Sequence, residues 1–452
     1  MMDDTIVAIS TKLGKGAISI IRLSGEKSIE IVNKLFKGKD LTKVKSHTIH
    51  YGFINDGKND IDEVLVTIML APKTFTRENV VEINCHGGIA PTLKIFELLT
   101  ENGARIANPG EFTKRAFLNG RIDLTQAEAV MDIISSKTEN ARKMALSLVE
   151  GNLKKYINTF RDKLKYLLAN IEVNIDYPEY YDIEEITKEQ LKETIKNLEQ
   201  DLKELIKKSE ERQIIKNGIK TIIIGKPNVG KSSILNTFLK EEKAIVTDIA
   251  GTTRDIVEGK IIFDGIELSL IDTAGIRKTD DVVEKIGVNK SISLIDEADL
   301  IIVVLNSNEE LNESDKYILN KVKNKNPIIV LNKNDLQLKI NKKDLKFKHI
   351  VSTNTNSLEG ITPLKNEIKE MFKLQELQEE DYTYLSNNRQ LILAKKALAS
   401  LKDAKMSLLN EEPIDIIEID LKEVFDILGT ITGESYSDEL LDELFASFCV
   451  GK

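Results

Sequence analysis

The sequence has no tryptophan, two cysteines and eight prolines among its 452 residues. Cys85 and Cys449 are too few and too far apart for a disulfide framework or for the ligand spacing of a metal site. We therefore expect two reduced thiols in a cytoplasmic protein. Because proline is scarce while Lys and Glu are plentiful, we expect much of the chain to be helical.

Long apolar runs and an excess of positive charge are also missing. The longest apolar runs, such as residues 298–305, fall well short of the ~20 residues needed to cross a bilayer. The first residues, MMDD, are acidic where a targeting peptide would be basic. With 64 basic and 73 acidic side chains, the net charge of -9 excludes the overall field of a dedicated nucleic-acid binder. We expect no membrane partner, and we expect any contact with nucleic acid to be local.

The length predicts about three domains, and the composition of 41% hydrophobic and 30% charged residues is typical of globular chains. In residues 1–120, short apolar runs alternate with glycine turns, which predicts a small α+β domain. Its predicted strands are residues 5–9, 18–23, 64–70 and 80–83, and its predicted helix is residues 93–99.

Residues 121–215 and 376–452 carry apolar residues at three- and four-residue steps, which predicts the two parts of one helical domain. A heptad-like stripe in the first part favours packing within the chain over a coiled coil with a partner, because bundle packing is more common. The stripe consists of Leu191, Ile195, Leu198, Leu202 and Leu205. In the second part, one helix carries Leu391, Leu398, Leu401 and Leu408, and another carries Leu421, Val424 and Leu428.

Between these parts, residues 216–375 contain continuous apolar runs separated by helical segments. Runs that are apolar at every position are typical of parallel strands covered on both faces. The runs are residues 221–224, 268–271, 300–305 and 328–331. The predicted fold class is therefore multidomain α/β, with a doubly wound domain inserted into a discontinuous helical bundle domain.

A phosphate-binding motif follows the first of these runs. Residues 225–232, GKPNVGKS, fit the pattern G-x-x-x-x-G-K-[ST]. Its glycines let backbone N–H groups surround phosphates, Lys231 neutralises the β and γ oxygens, and Ser232 offers a hydroxyl to Mg²⁺. The helix that follows turns its N-terminus toward the phosphates.

Further motifs follow in the order expected of a GTP-binding domain. Asp272 in DTAG can hold Mg²⁺ through water, and Thr253 in TTRD offers a second hydroxyl to the ion. In NKND, Asp335 can accept hydrogen bonds from N1 and the exocyclic amine of guanine, which adenine does not offer. Ser352 and Thr353 would support the base. Together the motifs predict a Ras-like P-loop GTPase domain that binds GTP and Mg²⁺.

The residues available for hydrolysis differ from those of Ras-like proteins. Ile276 stands where those proteins use a glutamine to orient the attacking water. Arg254 and Arg277 can stabilise charge, but neither position is decisive. A slow, switch-only GTPase is therefore as compatible with these residues as an efficient enzyme.

The whole chain resembles the MnmE (TrmE) family of tRNA-modifying GTPases. The similarity runs from DTIVA at residues 4–8 to CVGK at residues 449–452. Its most specific stretches are NPGEFT at residues 108–113 and RAFLNGR at residues 115–121, which leads into QAEA at residues 126–129. Other GTPases with G-x-P-N-x-G-K-S share only the central domain.

The resemblance implies a homodimer that works with the FAD-containing partner MnmG (GidA) in a heterotetramer-like complex. Together they attach an aminomethyl or carboxymethylaminomethyl group to C5 of the wobble uridine of certain tRNAs. The one-carbon unit comes from 5-formyltetrahydrofolate or 5,10-methylenetetrahydrofolate. K⁺ and dimerisation of the GTPase domains activate hydrolysis.

The resemblance also assigns residues around GTP. Glu284 matches the acid that orients the hydrolytic water, and the K⁺ positions match Asn228, Thr247, Ile249 and Thr252. The predicted GTP-binding set is Asn228, Val229, Gly230, Lys231, Ser232, Ser233, Thr247, Asp248, Ile249, Ala250, Gly251, Thr252, Thr253, Asp272, Thr273, Ala274, Gly275, Asn332, Lys333 and Asp335.

A folate-binding role, together with dimerisation, is implied for residues 1–120. The folate-contacting positions of the family match Arg22, Glu82, Arg121 and Lys452, and Cys449 is a candidate for a role in modification. Glu82 can pair with donors on a pterin ring, and the basic residues can bind glutamate carboxylates.

The tail CVGK is expected to reach this folate site. The apolar residues Leu441, Leu444, Phe445 and Phe448 would seat the last helix in the bundle, with Gly451 as a flexible joint. CHGG at residues 85–88 has too few metal ligands and is predicted to be a strand-ending turn.

A second hypothesis comes from another functional class. The chain would then be a GTP-controlled interaction module, such as a ribosome-associated assembly switch, without one-carbon chemistry. The terminal CVGK favours the modification enzyme, because an assembly GTPase has no reason to keep it.

Overall fold

The computed structural model describes residues 4–176, 188–241, 259–271, 294–374 and 383–451. The chain divides into two compact units. The first comprises Met1–Met131, Leu148–Leu202 and Ile392–Lys452, and the second comprises Asp132–Ser147 and Lys203–Leu391. The domain boundaries predicted at residues 120, 215 and 375 stay predictions. No helix in the described ranges is both long and apolar enough to span a membrane.

A seven-stranded sheet forms the N-terminal part of the first unit. Its elements are β1 Ile6–Ile9, β2 Ile18–Ser24, α1 Ser28–Leu35, β3 Phe36–Lys37, β4 Thr48–Asn55, β5 Asp60–Met69, β6 Val80–His86, α2 Ile89–Glu101 and β7 Arg105–Ile106. The strand order is β3-β4-β5-β6-β2-β1-β7, with β1 and β7 parallel and the other neighbours antiparallel. The strands and the helix predicted in this region are confirmed.

The side chains of this sheet alternate between a buried and a more open face, as the two-residue period of a strand requires. Ile21 and Ile83 lie in one core with Ile31 of α1 and Leu98 of α2. On β4 and β5, an exposed apolar group consists of Ile49, Tyr51 and Leu65, with Tyr51 directly opposite Leu65.

The chain between this sheet and the second sheet is mainly helical where it is described. The helices are α3 Glu111–Leu118, α4 Leu124–Ser135, α5 Glu139–Val149, α6 Asn152–Asp176 and α7 Lys188–Asn217. Asp123 and Gln126 cap α4 reciprocally, because each side chain accepts the backbone N–H of the other. The predicted stripe on α7 is at most 2% exposed within the single chain, which confirms packing that needs no partner chain.

A six-stranded sheet forms the core of the second unit. Its elements are β8 Ile219–Ile224, α8 Lys231–Glu241, β9 Gly259–Phe263, β10 Ile266–Ile271, β11 Leu300–Asn306, α9 Glu313–Val322, β12 Ile328–Asn332, β13 His349–Ser352 and α10 Thr362–Met371. The order is β13-β12-β11-β8-β10-β9, parallel except for the edge strand β9. Every residue of β11 and β12 is buried, as predicted for strands covered on both faces.

The C-terminal helices complete the first unit. They are α11 Asn388–Leu409, α12 Ile414–Thr432 and α13 Asp438–Ala446. Helix α12 packs on α6, where the guanidinium of Arg161 lies 4.2 Å from the ring centre of Phe425. Leu441, Phe445 and Phe448 share a core with residues of α3 and α4, so the predicted apolar seat of the last helix is confirmed.

Candidate functional site

The phosphate-binding motif connects β8 to the first turn of α8, as the sequence predicts. Its backbone takes a left-handed conformation at Asn228, with φ of 58°, and at Gly230, with φ of 100°. A Cβ added at Gly230 would collide with the side-chain amide of Asn332. Glycine is therefore required where the NKND loop approaches the phosphate loop.

Asn332 joins the phosphate loop to the predicted guanine loop. Its side chain is fully buried at the end of β12. Its Nδ2 donates to the carbonyl of Val229 at 2.9 Å, and its Oδ1 accepts from Oγ1 of Thr353 at 3.1 Å. Asn332 thus braces three loops, while its direct contact with GTP stays a prediction.

The two lysines of the phosphate loop have different surroundings. Lys231 Nζ donates to the carbonyls of Gly225 and Lys226 at 2.8 Å each, which tightens the loop. Lys226 Nζ lies 2.7 Å from Glu309 and 3.2 Å from Asp315. Burial lowers the pKa of Lys226, but its hydrogen bonds to Glu309 and Asp315 outweigh burial, so the pKa is raised overall. Lys226 therefore ties the phosphate loop to the loop after β11 and to the first turn of α9.

The predicted guanine loop is held by residues that follow neighbouring strands. Ser307, after β11, donates through Oγ to the carbonyl of Lys333 at 3.0 Å and through its N–H to the carbonyl of Asn332 at 3.0 Å. Lys333 is left-handed, with φ of 62°. Asp335 Oδ2 accepts from Asn356 at 2.9 Å. Sequence reasoning missed Ser307, because a serine after an apolar strand carries no distinctive signal.

Part of the predicted nucleotide site falls outside the described residues. The structure describes Asn228, Val229, Gly230, Lys231, Ser232, Ser233, Asn332, Lys333 and Asp335, and it brings their two loops together. Outside the described residues lie Thr247, Asp248, Ile249, Ala250, Gly251, Thr252, Thr253, Asp272, Thr273, Ala274, Gly275 and Glu284, with Arg254, Ile276 and Arg277. Their roles stay predictions.

In the first unit, Arg22 and Glu82 form a charged pair across two strands. They stand directly opposite each other on β2 and β6. Arg22 Nε and Nη2 lie 2.8 Å and 2.7 Å from Oε1 of Glu82. The side chains are 23% and 21% exposed, so the pair is shielded yet reachable from solvent.

Within the described residues, the tail that follows α13 reaches this charged pair at Gly451. The carbonyl of Gly451 accepts from Arg22 Nη1 at 2.9 Å and from Ser10 Oγ at 3.3 Å. Gly451 is buried and left-handed, with φ of 90°. The prediction that Gly451 is a flexible joint is therefore wrong, because two hydrogen bonds and close packing hold it. Lys452 lies outside the described residues, and Cys449 is exposed.

Arg121 lies at an aromatic group that also contacts Arg22. Its guanidinium lies 4.7 Å from the ring centre of Phe75, and Phe75 packs against a core that contains Phe112. The guanidinium of Arg22 lies 5.9 Å from the ring centre of Phe112. Burial and the nearby Arg77 lower the pKa of Arg121. The structure thus connects two of the predicted folate residues through two rings.

Residues 85–88 form a strand-ending turn, as predicted. Cys85 is buried, and its burial raises the pKa of the thiol. His86 ends β6 and pairs through Nδ1 with Asp62 at 2.7 Å. Within the described ranges, no group of three or more His, Cys, Asp or Glu side chains is arranged to hold a metal ion.

Comparison with known proteins decides the family. A family model described as the MnmE helical domain matches residues 124–449, and one described as the GTP-binding protein TrmE N-terminus matches residues 5–121. The chain is 52% identical over 450 residues to the tRNA modification GTPase MnmE of Streptococcus thermophilus (strain CNRZ 1066), covering 99% of this chain and 98% of that protein. The chain belongs to the MnmE family of tRNA modification GTPases.

Another member of the family is similar over the whole chain, and one solved structure is similar over part of it. The MnmE of Streptococcus pyogenes serotype M2 (strain MGAS10270) is 51% identical over 453 residues, covering 99% of this chain and 98% of that protein. The G domain of the T. maritima FeoB iron transporter is 28% identical and aligns with 34% of this chain and 97% of that chain, at a TM-score of 0.26. Membership of the MnmE family makes this chain a GTPase of tRNA modification.

Proposed function

We propose that this GTPase modifies C5 of the wobble uridine of certain tRNAs with a one-carbon unit from a tetrahydrofolate. The observation that carries the proposal is the binding of the Gly451 carbonyl by Arg22, which also pairs with Glu82. A charged pair that holds the tail is a means of bringing residues 449–452 to a ligand. The proposed product is the aminomethyl or carboxymethylaminomethyl uridine.

The residues around the charged pair fit a folate. Glu82 uses Oε1 for Arg22, and within the described residues its Oε2 makes no hydrogen bond, which leaves an acceptor for donors on a pterin ring. Arg121 is exposed, and it has no acidic partner in the described part of the chain, so it can bind a glutamate carboxylate. The folate, 5-formyl- or 5,10-methylenetetrahydrofolate, would supply the carbon. Lys452 is proposed as a further contact and Cys449 as a participant in modification.

The phosphate loop fits GTP with Mg²⁺ and K⁺. Ser232 lies in the first turn of α8, where its hydroxyl suits Mg²⁺, and we assign Thr253 as the second hydroxyl. Asn228 holds a left-handed backbone in the loop, and its side-chain oxygen suits K⁺ with Thr247, Ile249 and Thr252. These cations would add positive charge near the phosphates. Glu284 would orient the attacking water, which Ile276 cannot do.

The proposed assembly is a homodimer that acts with FAD-containing MnmG on tRNA. The exposed apolar group of Ile49, Tyr51 and Leu65 supports a protein interface in the first unit, because such groups mark interaction surfaces. The acidic net charge of -9 supports a partner that supplies basic surface for tRNA. Membership of a tRNA modification family favours this function over a ribosome-assembly switch.

The test is a reconstituted reaction with the partner, tRNA and GTP. We expect mass analysis to find modified wobble uridine only when a tetrahydrofolate one-carbon donor is added. GTP hydrolysis should continue when that donor is omitted, because the Arg22–Glu82 pair lies outside the nucleotide loops. These loops are the phosphate loop of residues 225–232, the guanine loop of residues 332–335 and Ser307. Full modification without any folate would contradict the proposal.

A further inference from the structure

Gly110 lies at the point where the N-terminal part of the chain contacts the segment after α13. It directly precedes α3 and is left-handed, with φ of 67°. Its N–H donates to the carbonyl of Cys449 at 3.2 Å. Because the N–H at the N-terminus of a helix has no acceptor within that helix, the tail satisfies an amide that would otherwise lack a partner.

The end of α13 and the residues after it leave no space for a side chain at Gly110. A Cβ added there would lie 2.7 Å from the carbonyl oxygen of Phe445 and 2.8 Å from Cβ of Phe448. Both neighbouring atoms are fixed by the backbone, so a rotamer change cannot move them away. Phe445 and Phe448 are themselves 2% and 8% exposed in a packed core. Any side chain at residue 110 must therefore displace the end of α13 and the tail.

The tail is held at two backbone carbonyls that lie two residues apart. Gly110 binds the carbonyl of Cys449, and Arg22 with Ser10 binds the carbonyl of Gly451. The intervening Val450 side chain is 53% exposed, and Cys449 is exposed as well. Docking therefore uses the backbone of the tail and leaves the Cys449 thiol available for a ligand.

We propose that Gly110 is a positioning residue for modification, because its missing side chain and its N–H together set the tail on the Arg22–Glu82 pair. The inference rests on the function proposed above. It adds a residue that is not among the proposed folate contacts. Phe112, two residues further on, contacts Arg22, and Lys114 pairs with Asp442 of α13, so the same short helix fixes both sides of the contact.

The experiment compares Gly110→Ala and Gly110→Asn with the control Gly103→Ala. Gly103 is also left-handed, with φ of 103°, but an added Cβ there meets nothing within 4 Å. The control thus carries backbone strain without a collision, whereas Asn tolerates the left-handed conformation but still brings a Cβ. Wobble-uridine modification, affinity for 5-formyltetrahydrofolate and GTP turnover are measured for each full-length variant with the partner.

Both Gly110 variants should lose modification by about a hundredfold, the order expected for a reactive group misplaced by ~1 Å. Folate affinity should fall with it, while GTP turnover stays at the wild-type value. Gly103→Ala should resemble wild type in all three measurements. If Gly110→Asn modifies tRNA as wild type does, left-handed strain alone explains the Ala variant and the inference is overturned.

Two further measurements separate this inference from the proposed function. Full modification after removal of residues 449–452 would refute the role of the tail itself, whereas loss on truncation with normal Gly110 variants would refute only the role of Gly110. Hydrogen exchange at the wild-type Gly110 amide needs no substitution that could unfold the protein. That amide should exchange faster in the truncated chain, and unchanged exchange contradicts its bond to Cys449.

Discussion

The nucleotide loops and the tail site differ in what brings their residues together. The tail site consists of Arg22, Glu82 and Gly110 with residues 449–451. Asn332 contacts Val229 because both stand where strands of one parallel sheet end, and such ends share an edge. Arg22 contacts Gly451 across 429 positions of the sequence, through a helix that packs by its apolar side chains. The first contact follows from sheet topology, and the second depends on how one helix is seated.

The two sites also differ in the room around their left-handed residues. In the nucleotide loops these positions include Asn228 and Lys333, which keep full side chains, and Gly230, where an added Cβ would collide with the side-chain amide of Asn332. At the tail site they are Gly110 and Gly451, and a Cβ at either would lie within 3.0 Å of a backbone or Cβ atom. Both left-handed residues of the tail site should therefore be sensitive to added bulk. In the nucleotide loops that sensitivity is expected at Gly230, and the loss of polar groups matters at the other positions.

Removal of residues 449–452 is expected to have the largest effect. Modification should fall by two orders of magnitude or more, on the scale of losing the positioning of a reacting group, ~100-fold. GTP turnover should stay close to wild type, because the nucleotide loops are built from the other unit. The measurements are mass analysis of wobble uridine and release of phosphate.

Val450→Ala is the matched control for this truncation. It shortens a side chain that is 53% exposed and leaves both docking carbonyls in place, so modification should persist. A parallel loss of GTP turnover in the truncated chain would show that the two sites are not independent and would remove the basis of the comparison.

The sequence predicts the nucleotide loops better than the tail site for a physical reason. Glycines, Lys231 and Asp335 are dictated by phosphate and guanine chemistry at fixed spacing, so their pattern is visible locally. The binding of Gly451 has no such local pattern, because glycines near chain ends are usually mobile and only the hydrogen bonds from Arg22 and Ser10 show otherwise. The flexible joint was therefore predicted where the structure has a fixed contact.

Two structural features lie outside the prediction from sequence, and only the first of them has a local signal. The edge strand β9 is joined to β10 by Asp264-Gly265, both left-handed, and Asp-Gly between apolar runs is a strong hairpin signal. Lys226 fills a variable position of the pattern G-x-x-x-x-G-K-[ST], yet it pairs with Glu309 and Asp315. No sequence rule links it to acids that follow another strand.

Replacing K⁺ by Na⁺ should have the second-largest effect, and the quantity affected is GTP turnover. At equal ionic strength, turnover should be higher in K⁺ than in Na⁺ by about an order of magnitude or more, toward the ~100-fold contributed by one preorganised charge-stabilising group. Asn228→Gly should abolish the difference, because glycine keeps the left-handed backbone and removes the side-chain oxygen. Equal rates in the two salts for the wild-type enzyme would contradict the K⁺ assignment.

Asp335→Asn should weaken GTP binding by about tenfold or more, since charge-assisted hydrogen bonds are worth roughly 1.5–3 kcal/mol. Affinity for xanthosine triphosphate should rise, because its 2-oxo group pairs with the new amide. Asn356→Ala, which removes only the donor to Asp335, should cause a smaller loss. Calorimetric titration with both nucleotides measures these affinities for the two variants. An unchanged GTP affinity in Asp335→Asn contradicts the assignment of the guanine loop.

Ser307→Ala is expected to have the smallest effect and compares the two sites most directly. It removes one oxygen from the nucleotide loops, whereas Gly110→Ala adds one methyl group to the tail site. The lost bond to the Lys333 carbonyl is worth about 0.5–1.5 kcal/mol, which corresponds to roughly a twofold to tenfold weaker affinity for GTP. The N–H of residue 307 still donates to Asn332, so the loop keeps its path. Modification at saturating GTP should be unchanged.

Thr100→Ala is the control for Ser307→Ala, because it deletes an exposed hydroxyl that donates to its own helix. It should leave GTP affinity unaltered. If Ser307→Ala reduced modification more than Gly110→Ala, the contrast between a site held by polar side chains and one closed by apolar packing would be wrong.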